Sequence, residues 1–144
     1  IVAALNEINE TTPVICPIHP RTKELILSLE VKPKFVLIDP VSYFEMIWLL
    51  ENCSVVITDS GGLQKEAYFF KKPCITMREQ TEWVELIEAG VNRLVGSCKV
   101  KIIKAFNNIT VTPSVISNLY GKGDAANKIV AFLAKKIKKV PFES

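Results

Sequence analysis

The chain has 144 residues, enough for one domain that buries about 70% of the surface its unfolded form exposes. Apolar residues make up 49% and charged residues 23%, the composition of a globular chain rather than a disordered one. The net charge of +3 leaves no basic stripe of the kind a nucleic-acid binder carries, and no run approaches the ~18 apolar residues of a membrane span.

The chain opens on a helical pattern, with Ile1, Leu5 and Ile8 in phase and no capping residue before them. A helix that begins in full stride predicts that the chain continues upstream. Residues 14–18 then read as a β-branched strand, and 21–29 as a short helix with Leu25, Ile26 and Leu29 on one face. Residues 35–38 form a strand closed by Asp39-Pro40. Ser42-Tyr43-Phe44-Glu45 is a capping box that opens a helix to about Asn52. A strand over 54–58 leads to Gly61-Gly62, which open a helix to Phe70. Residues 74–77 form the next strand. Thr81 is expected to cap a helix running to Ala89, with Gly90 as its stop. A short strand over 92–95 and a helix over 99–106 follow. Tyr120-Gly121-Lys122-Gly123-Asp124 is a turn whose last residue caps a final helix, from Ala125 to about Lys138. The basic stretch 135–139 reads as the solvated end of that helix, where cations complement the macrodipole.

Short apolar strands alternating with helices predict an α/β fold, a Rossmann-like doubly wound parallel sheet of about five strands. The four cysteines, Cys16, Cys53, Cys74 and Cys98, make no C-x-x-C pair. Three sit in or beside apolar runs, where a free thiol behaves as a small hydrophobe, so neither a zinc site nor a disulfide framework is expected. Such thiols fit a reducing, cytoplasmic setting.

In an open parallel sheet, ligands bind beyond the carboxyl ends of the strands. Three loops at such ends carry polar residues. Asp59-Ser60-Gly61-Gly62 combines two side-chain-free positions with the start of a helix, whose unpaired N–H groups favour a phosphate. Ser60 adds a hydroxyl donor, and Glu66, one turn on, could accept from ribose hydroxyls. No G-x-G-x-x-G and no G-K-[ST] is present, which weakens dinucleotide and P-loop readings. His19-Pro20-Arg21 places a histidine and an arginine at a strand end, either as an anion contact or as ordinary structural and exposed residues. Arg78-Glu79-Gln80-Thr81-Glu82-Trp83 is polar directly after an apolar strand. Helix preference accounts for Glu82 but not for Arg78.

The run Ile57-Thr58-Asp59-Ser60-Gly61-Gly62-Leu63-Gln64-Lys65-Glu66-Ala67 closely resembles a signature of the non-hydrolysing UDP-N-acetylglucosamine 2-epimerases. Pro73, Thr81-Glu82-Trp83-Val84-Glu85, Pro17-Ile18-His19-Pro20-Arg21-Thr22, Ile38-Asp39-Pro40 and Tyr120-Gly121-x-Gly123 resemble further blocks at the family's spacing. The resemblance covers nearly the whole chain. It implies the C-terminal domain of a glycosyltransferase-B-like two-domain fold. Ser60, Gly61 and Gly62 would hold the diphosphate, and Glu66 the ribose. Uracil would lie near Val41 and Met46, although an aromatic residue is frequent at the Met46 position. Arg78, Glu79, Glu82 and Trp83 would line the sugar side, with Trp83 standing where some members have arginine. His19, beside Arg21, matches a histidine that in some members belongs to an effector site.

The resemblance further implies epimerisation by elimination and re-addition of UDP, without cofactor or metal, by carboxylates of an N-terminal domain that this chain does not contain. The expected partners are a UDP-sugar, that N-terminal domain and, for the full-length protein, a second copy; neither nucleic acid nor a membrane is expected. The substrate is UDP-N-acetylglucosamine or a related diacetamido sugar or uronic acid, with products that feed surface polysaccharides. Two alternatives stand beside it: the donor-binding half of a UDP-sugar glycosyltransferase, and a nucleotide-binding module without catalysis.

Overall fold

The computed structural model describes residues 1–109 and 119–137. Its elements run α1 Val2–Asn9, β1 Ile15–Pro17, α2 Pro20–Ser28, β2 Val36–Ile38, α3 Tyr43–Asn52, β3 Val56–Thr58, α4 Gly61–Phe69, β4 Cys74–Thr76, α5 Val84–Glu88, β5 Asn92–Leu94, α6 Lys99–Asn107 and α7 Ala125–Ile137. All strand pairings among the described residues are parallel, as the apolar strand pattern predicts. They fall into two hydrogen-bonded groups, β1–β2 and β3–β4–β5. The groups meet through side chains: Ile57 of β3 packs with Val14, Cys16 and Leu37 against Val2, Leu5 and Phe35.

Helix α1 explains much of the packing. Its apolar face brings Ala4 and Ile8 onto Ile75, Val95, Ile102 and Ala105, joining β4 and α6. Two asparagines on α1 hold the entries to β1 and β2. Asn6 donates to the Lys32 carbonyl at 2.8 Å and accepts from the Lys34 amide at 2.7 Å. Asn9 accepts from Val14 N at 2.9 Å and donates to the Lys34 carbonyl at 3.1 Å. The capping box of α3 is complete: Ser42 Oγ accepts from Glu45 N, and the Glu45 carboxylate accepts from Ser42 N at 2.7 Å. Those bonds hold the Glu45 carboxyl below its ordinary pKa.

Two sequence expectations are corrected. The helix predicted to start at Thr81 is only Val84–Glu88, and Thr81 makes no helix cap. Its hydroxyl is engaged in the fold's interior instead, as described below. The predicted apolar face of α2 is not buried: Leu25 and Leu29 are exposed, and only Ile26 reaches the core. The turn before α7 forms as predicted, with Gly121 and Gly123 at positive φ (79° and 76°), a backbone conformation that glycine adopts without strain. Lys138 and Lys139 lie outside the described residues.

Candidate functional site at the carboxyl ends of the strands

Because β3, β4 and β5 are parallel, their carboxyl ends share one edge, where Thr58 pairs with Thr76. The β3–α4 connection is only two residues long. Thr58 Oγ1 accepts from Ser60 N at 2.9 Å, which turns the chain at once into α4. Ser60 is the residue before the helix, and its hydroxyl makes no capping bond. The first amides of α4 belong to Gly61, Gly62 and Leu63, and the first turn of a helix has no carbonyl partners of its own. The result is a set of donors facing outward beside a free hydroxyl, with the positive end of the helix dipole behind them.

Neither Gly61 nor Gly62 has positive φ, so what matters is the missing side chain rather than the backbone conformation. The two differ. A Cβ on Gly61 would collide with the Glu82 carboxylate, whereas a Cβ on Gly62 would meet nothing within 4 Å. Gly61 admits the neighbouring loop; Gly62 leaves open space over the helix start. Glu66 lies one turn beyond Gly62 on the same face and is half-buried.

The loop after β4 closes over this start. Arg78 Nη1 pairs with Glu82 Oε2 at 3.0 Å, with both side chains more than one-third exposed. Trp83 Nε1 donates to the Gly61 carbonyl at 2.8 Å. On its ring sits Lys65 Nζ, 3.6 Å from the centroid, and the same ammonium lies 4.4 Å from the Tyr120 ring. The Tyr120 hydroxyl donates to Glu85 Oε1 at 2.8 Å. Burial, and then that bond, push the Tyr120 phenol above its ordinary pKa; the hydrogen bonds to Glu85, first from its own backbone and then from Tyr120, lower the Glu85 carboxyl. Glu79 turns away from Gly61, its carboxylate closing on Gly96 at φ 63°.

The structure thus brings together Ser60, Gly61, Gly62, Arg78, Glu82 and Trp83. Val41 is half-buried in the loop after β2. Met46 packs with Leu50, Val56, Ala67 and Cys74, so its side chain serves the core between α3 and α4. His19 is the residue before α2, and its Nδ1 accepts from Arg21 N at 3.3 Å, a capping role that accounts for it without a ligand. Arg21 is exposed. Asp59 lies close enough to Cys16 to add to the upward shift of that thiol, after burial, which places the end of β3 beside β1. Sequence reasoning had Thr58, Gln64 and Tyr120 within the runs that resemble the family but gave Gln64 and Tyr120 no role at this edge. It did not reach Asn92, which opens β5 at its amino end, opposite Cys74, and meets Thr76 and Gln64 through its side chain. The signal for Gln64 was its place in the Asp59–Glu66 run; Asn92 carried none. Among the described residues no group of three or more His, Cys, Asp or Glu converges as a metal site. A shallow hollow lined by Pro73, Cys74, Gly90 and Val91 lies at the opposite, amino edge of β4 and β5.

A sequence profile described as UDP-N-acetylglucosamine 2-epimerase matches residues 1–134. The chain belongs to the UDP-N-acetylglucosamine 2-epimerase family. Among characterised relatives, the UDP-2,3-diacetamido-2,3-dideoxy-D-glucuronate 2-epimerase of Pseudomonas aeruginosa is 51% identical over 137 residues, covering 94% of this chain and 39% of that protein. The UDP-N-acetylglucosamine 2-epimerase of Methanocaldococcus jannaschii is 40% identical, over 83% of this chain and 34% of that protein. The chain therefore spans well under half the length of these relatives. Among solved structures, the UDP-GlcNAc 2-epimerase from Neisseria meningitidis bound to UDP-GlcNAc superposes with a TM-score of 0.73 at 31% identity, covering 92% of this chain and 40% of that one. The M. jannaschii enzyme superposes at 0.72 with 36% identity, over 93% and 40%. The α/β, Rossmann-like architecture is the one these family structures share. No helix among the described residues is long and apolar enough to cross a membrane.

Proposed function

We propose that this chain is the UDP-binding, C-terminal half of a UDP-sugar 2-epimerase that works by eliminating and re-adding UDP. The observation that carries the proposal is the start of α4: outward amides at Gly61, Gly62 and Leu63, an uncapped Ser60 hydroxyl and open space over Gly62, all at the carboxyl edge of a parallel sheet. The diphosphate sits there. Glu66 accepts from the ribose, the uracil lies by Val41 and Met46, and Arg78, Glu82 and Trp83 face the sugar.

The chemistry assigns this half a definite share. A base removes the C2 proton, the C1–O bond breaks, and UDP departs carrying the electron pair. Negative charge then grows on the diphosphate, where the helix start stabilises it more in the transition state than in the bound sugar nucleotide. Re-addition with the proton returned to the other face completes the epimerisation. The base must lie within hydrogen-bond reach of C2. We assign it to carboxylates of an N-terminal domain, in keeping with the share of the relatives' length that this chain spans. The 51% identity to an enzyme named for a diacetamido-glucuronate favours a UDP-diacetamido sugar acid over UDP-N-acetylglucosamine as substrate. A cytoplasmic homodimer is the setting we assign to the whole protein.

Titration calorimetry on the full-length protein tests the loop. Ser60→Ala should weaken UDP about tenfold through the lost donor, and Gly61→Val should weaken it about 100-fold or more by driving the Glu82 carboxylate and its loop off the helix start. Unchanged affinity in both variants would remove the diphosphate from this loop. Turnover by residues 1–144 alone, followed by NMR of the two UDP-sugar epimers, would overturn the division of labour.

A further inference from the structure

Behind the helix start runs a line of buried polar side chains. Thr76 on β4, Asn92 on β5 and Gln64 on α4 are 0%, 2% and 1% exposed. Thr76 Oγ1 donates to Asn92 Oδ1 at 2.8 Å, and Asn92 Nδ2 donates to Gln64 Oε1 at 3.0 Å. Gln64 Oε1 also accepts from Thr81 Oγ1 at 2.7 Å, while Gln64 Nε2 donates to the Ser60 carbonyl at 3.3 Å. Thr81 Oγ1 accepts in turn from Trp83 N at 3.2 Å. The line thus leaves the sheet and splits, one end on the Ser60–Gly61 backbone and the other on the loop after β4.

The direction of each bond that involves Gln64 or Asn92 follows from one fact. The Ser60 carbonyl can only accept, so Gln64 must turn its amide nitrogen outward and its oxygen inward. That oxygen needs donors, which fixes the Thr81 hydroxyl and the Asn92 amide. The Asn92 oxygen then faces Thr76, whose hydroxyl must donate. Reversing any single amide would set two acceptors or two donors against each other, at a cost that a buried site does not relieve. At Gln64 Oε1 the sheet, the helix start and the second loop meet.

We propose that Asn92 is a positioning residue for the diphosphate site. Through Gln64 it sets the orientation of the Ser60–Gly62 backbone and its distance from the loop 78–83, without touching ligand. This rests on the UDP reading of the loop given above. Uniform packing could hold the same elements together, but it would not dictate which way the Gln64 amide points.

The test uses Asn92→Leu and Asn92→Asp in the full-length protein. Asn92→Leu keeps the volume and removes the donor. Asn92→Asp keeps the shape; ionised, it presents an oxygen to Gln64 Oε1, and protonated it can donate again. The neighbouring Cys74 thiol, which lies 3.9 Å from Thr76 Oγ1, is pushed up to about 12 by burial and stays neutral over the range used. UDP is titrated at temperatures well below each variant's melt, and affinity is taken relative to the unmodified protein at the same pH. Asn92→Leu should bind UDP about tenfold more weakly at all pH values. Asn92→Asp should be at least as weak at about pH 8 and return toward normal at about pH 5.5 as the introduced carboxyl protonates. Amide hydrogen exchange at Ser60 and Trp83, whose N–H groups bond Thr58 Oγ1 and Thr81 Oγ1, should quicken in both ligand-free variants.

A residue that merely fills the core would lower the melting temperature and leave the affinity of the folded protein unchanged. UDP affinity of Asn92→Leu within about twofold of normal would therefore overturn the proposal. Should Asn92→Asp fail to fold, Asn92→Leu decides. Should the unmodified protein bind no UDP, the ligand reading fails by itself, and the proposal for the diphosphate site falls with it; exchange at Ser60 and Trp83 then reports separately whether Asn92 still orders the two loops.

Discussion

The two strand groups are built by different means. In β3–β4–β5 the central strand is wholly interior: Cys74, Ile75 and Thr76 are all buried, between α1 and α6 on one side and α3 and α4 on the other. In β1–β2 every strand residue is half-buried or exposed and α2 fully buries no residue, with Ile26 alone on that helix reaching the core; the hydrogen bonds of Asn6 and Asn9 hold the entries to the strands, and His19 caps α2. The lesson is where rigidity is placed. The edge that carries Ser60–Gly62 belongs to the group whose strands are held by packing, and the less covered group lies beside it. Preorganised anion sites need such backing, because donors contribute most when they do not have to be reoriented on binding.

Three measurements would break or sharpen that contrast. The largest effect concerns Cys74, whose thiol burial pushes up to about 12. A raised thiol pKa means that folding favours the neutral form. The stability is therefore complete below about pH 9, the unfolded value, and is lost as pH climbs toward 12. The shift corresponds to about 4 kcal/mol at most. Urea unfolding across this range should fall more steeply for the native chain than for Cys74→Ala; equal slopes would mean that β4 is open to solvent. Next, Ile75→Ala should cost about 3 kcal/mol, since Ile75 is 0% exposed and sits in the central cluster. The smallest effect is Leu25→Ala on α2, expected below about 0.5 kcal/mol, because that side chain is 61% exposed. A loss at Leu25 rivalling that at Ile75, in melts of the full-length protein, would show that α2 is covered there and would erase the contrast.

Much of this was readable in the chain itself. Strand and helix order followed from apolar runs and their punctuation. The capping box at Ser42 and Glu45 formed as its spacing predicts, because both of its bonds are local. Ser60, Gly61 and Gly62 stood out because a glycine pair before a helix lets the backbone approach a phosphate, although the same pair also serves a tight strand-to-helix turn. The failures have a common cause. Thr81 followed by an acidic residue has the look of a helix start, but its hydroxyl is drawn to Gln64, 17 positions away, and the helix begins only at Val84. Asn92 reads as an ordinary strand opening, and its role exists only once β5 is set beside β4 and α4 is laid across them, 28 positions from its partner Gln64. Leu25 and Leu29 carry the periodicity of a buried face, yet periodicity says which residues share a side and not whether anything covers it.

The indole of Trp83 has a practical consequence. One end of it grips the Gly61 carbonyl and its face carries the Lys65 ammonium, so under the proposed UDP reading its surroundings would change when the helix start is occupied or released. The other tryptophan, Trp48, projects from α3 and is 62% exposed, which gives it a water-like emission that stays constant. Within this chain the two tryptophans would then act as gauge and internal standard. In residues 1–144 a Trp48→Phe variant leaves Trp83 as the single tryptophan, through which the proposed UDP binding can be timed in a stopped flow without any added label.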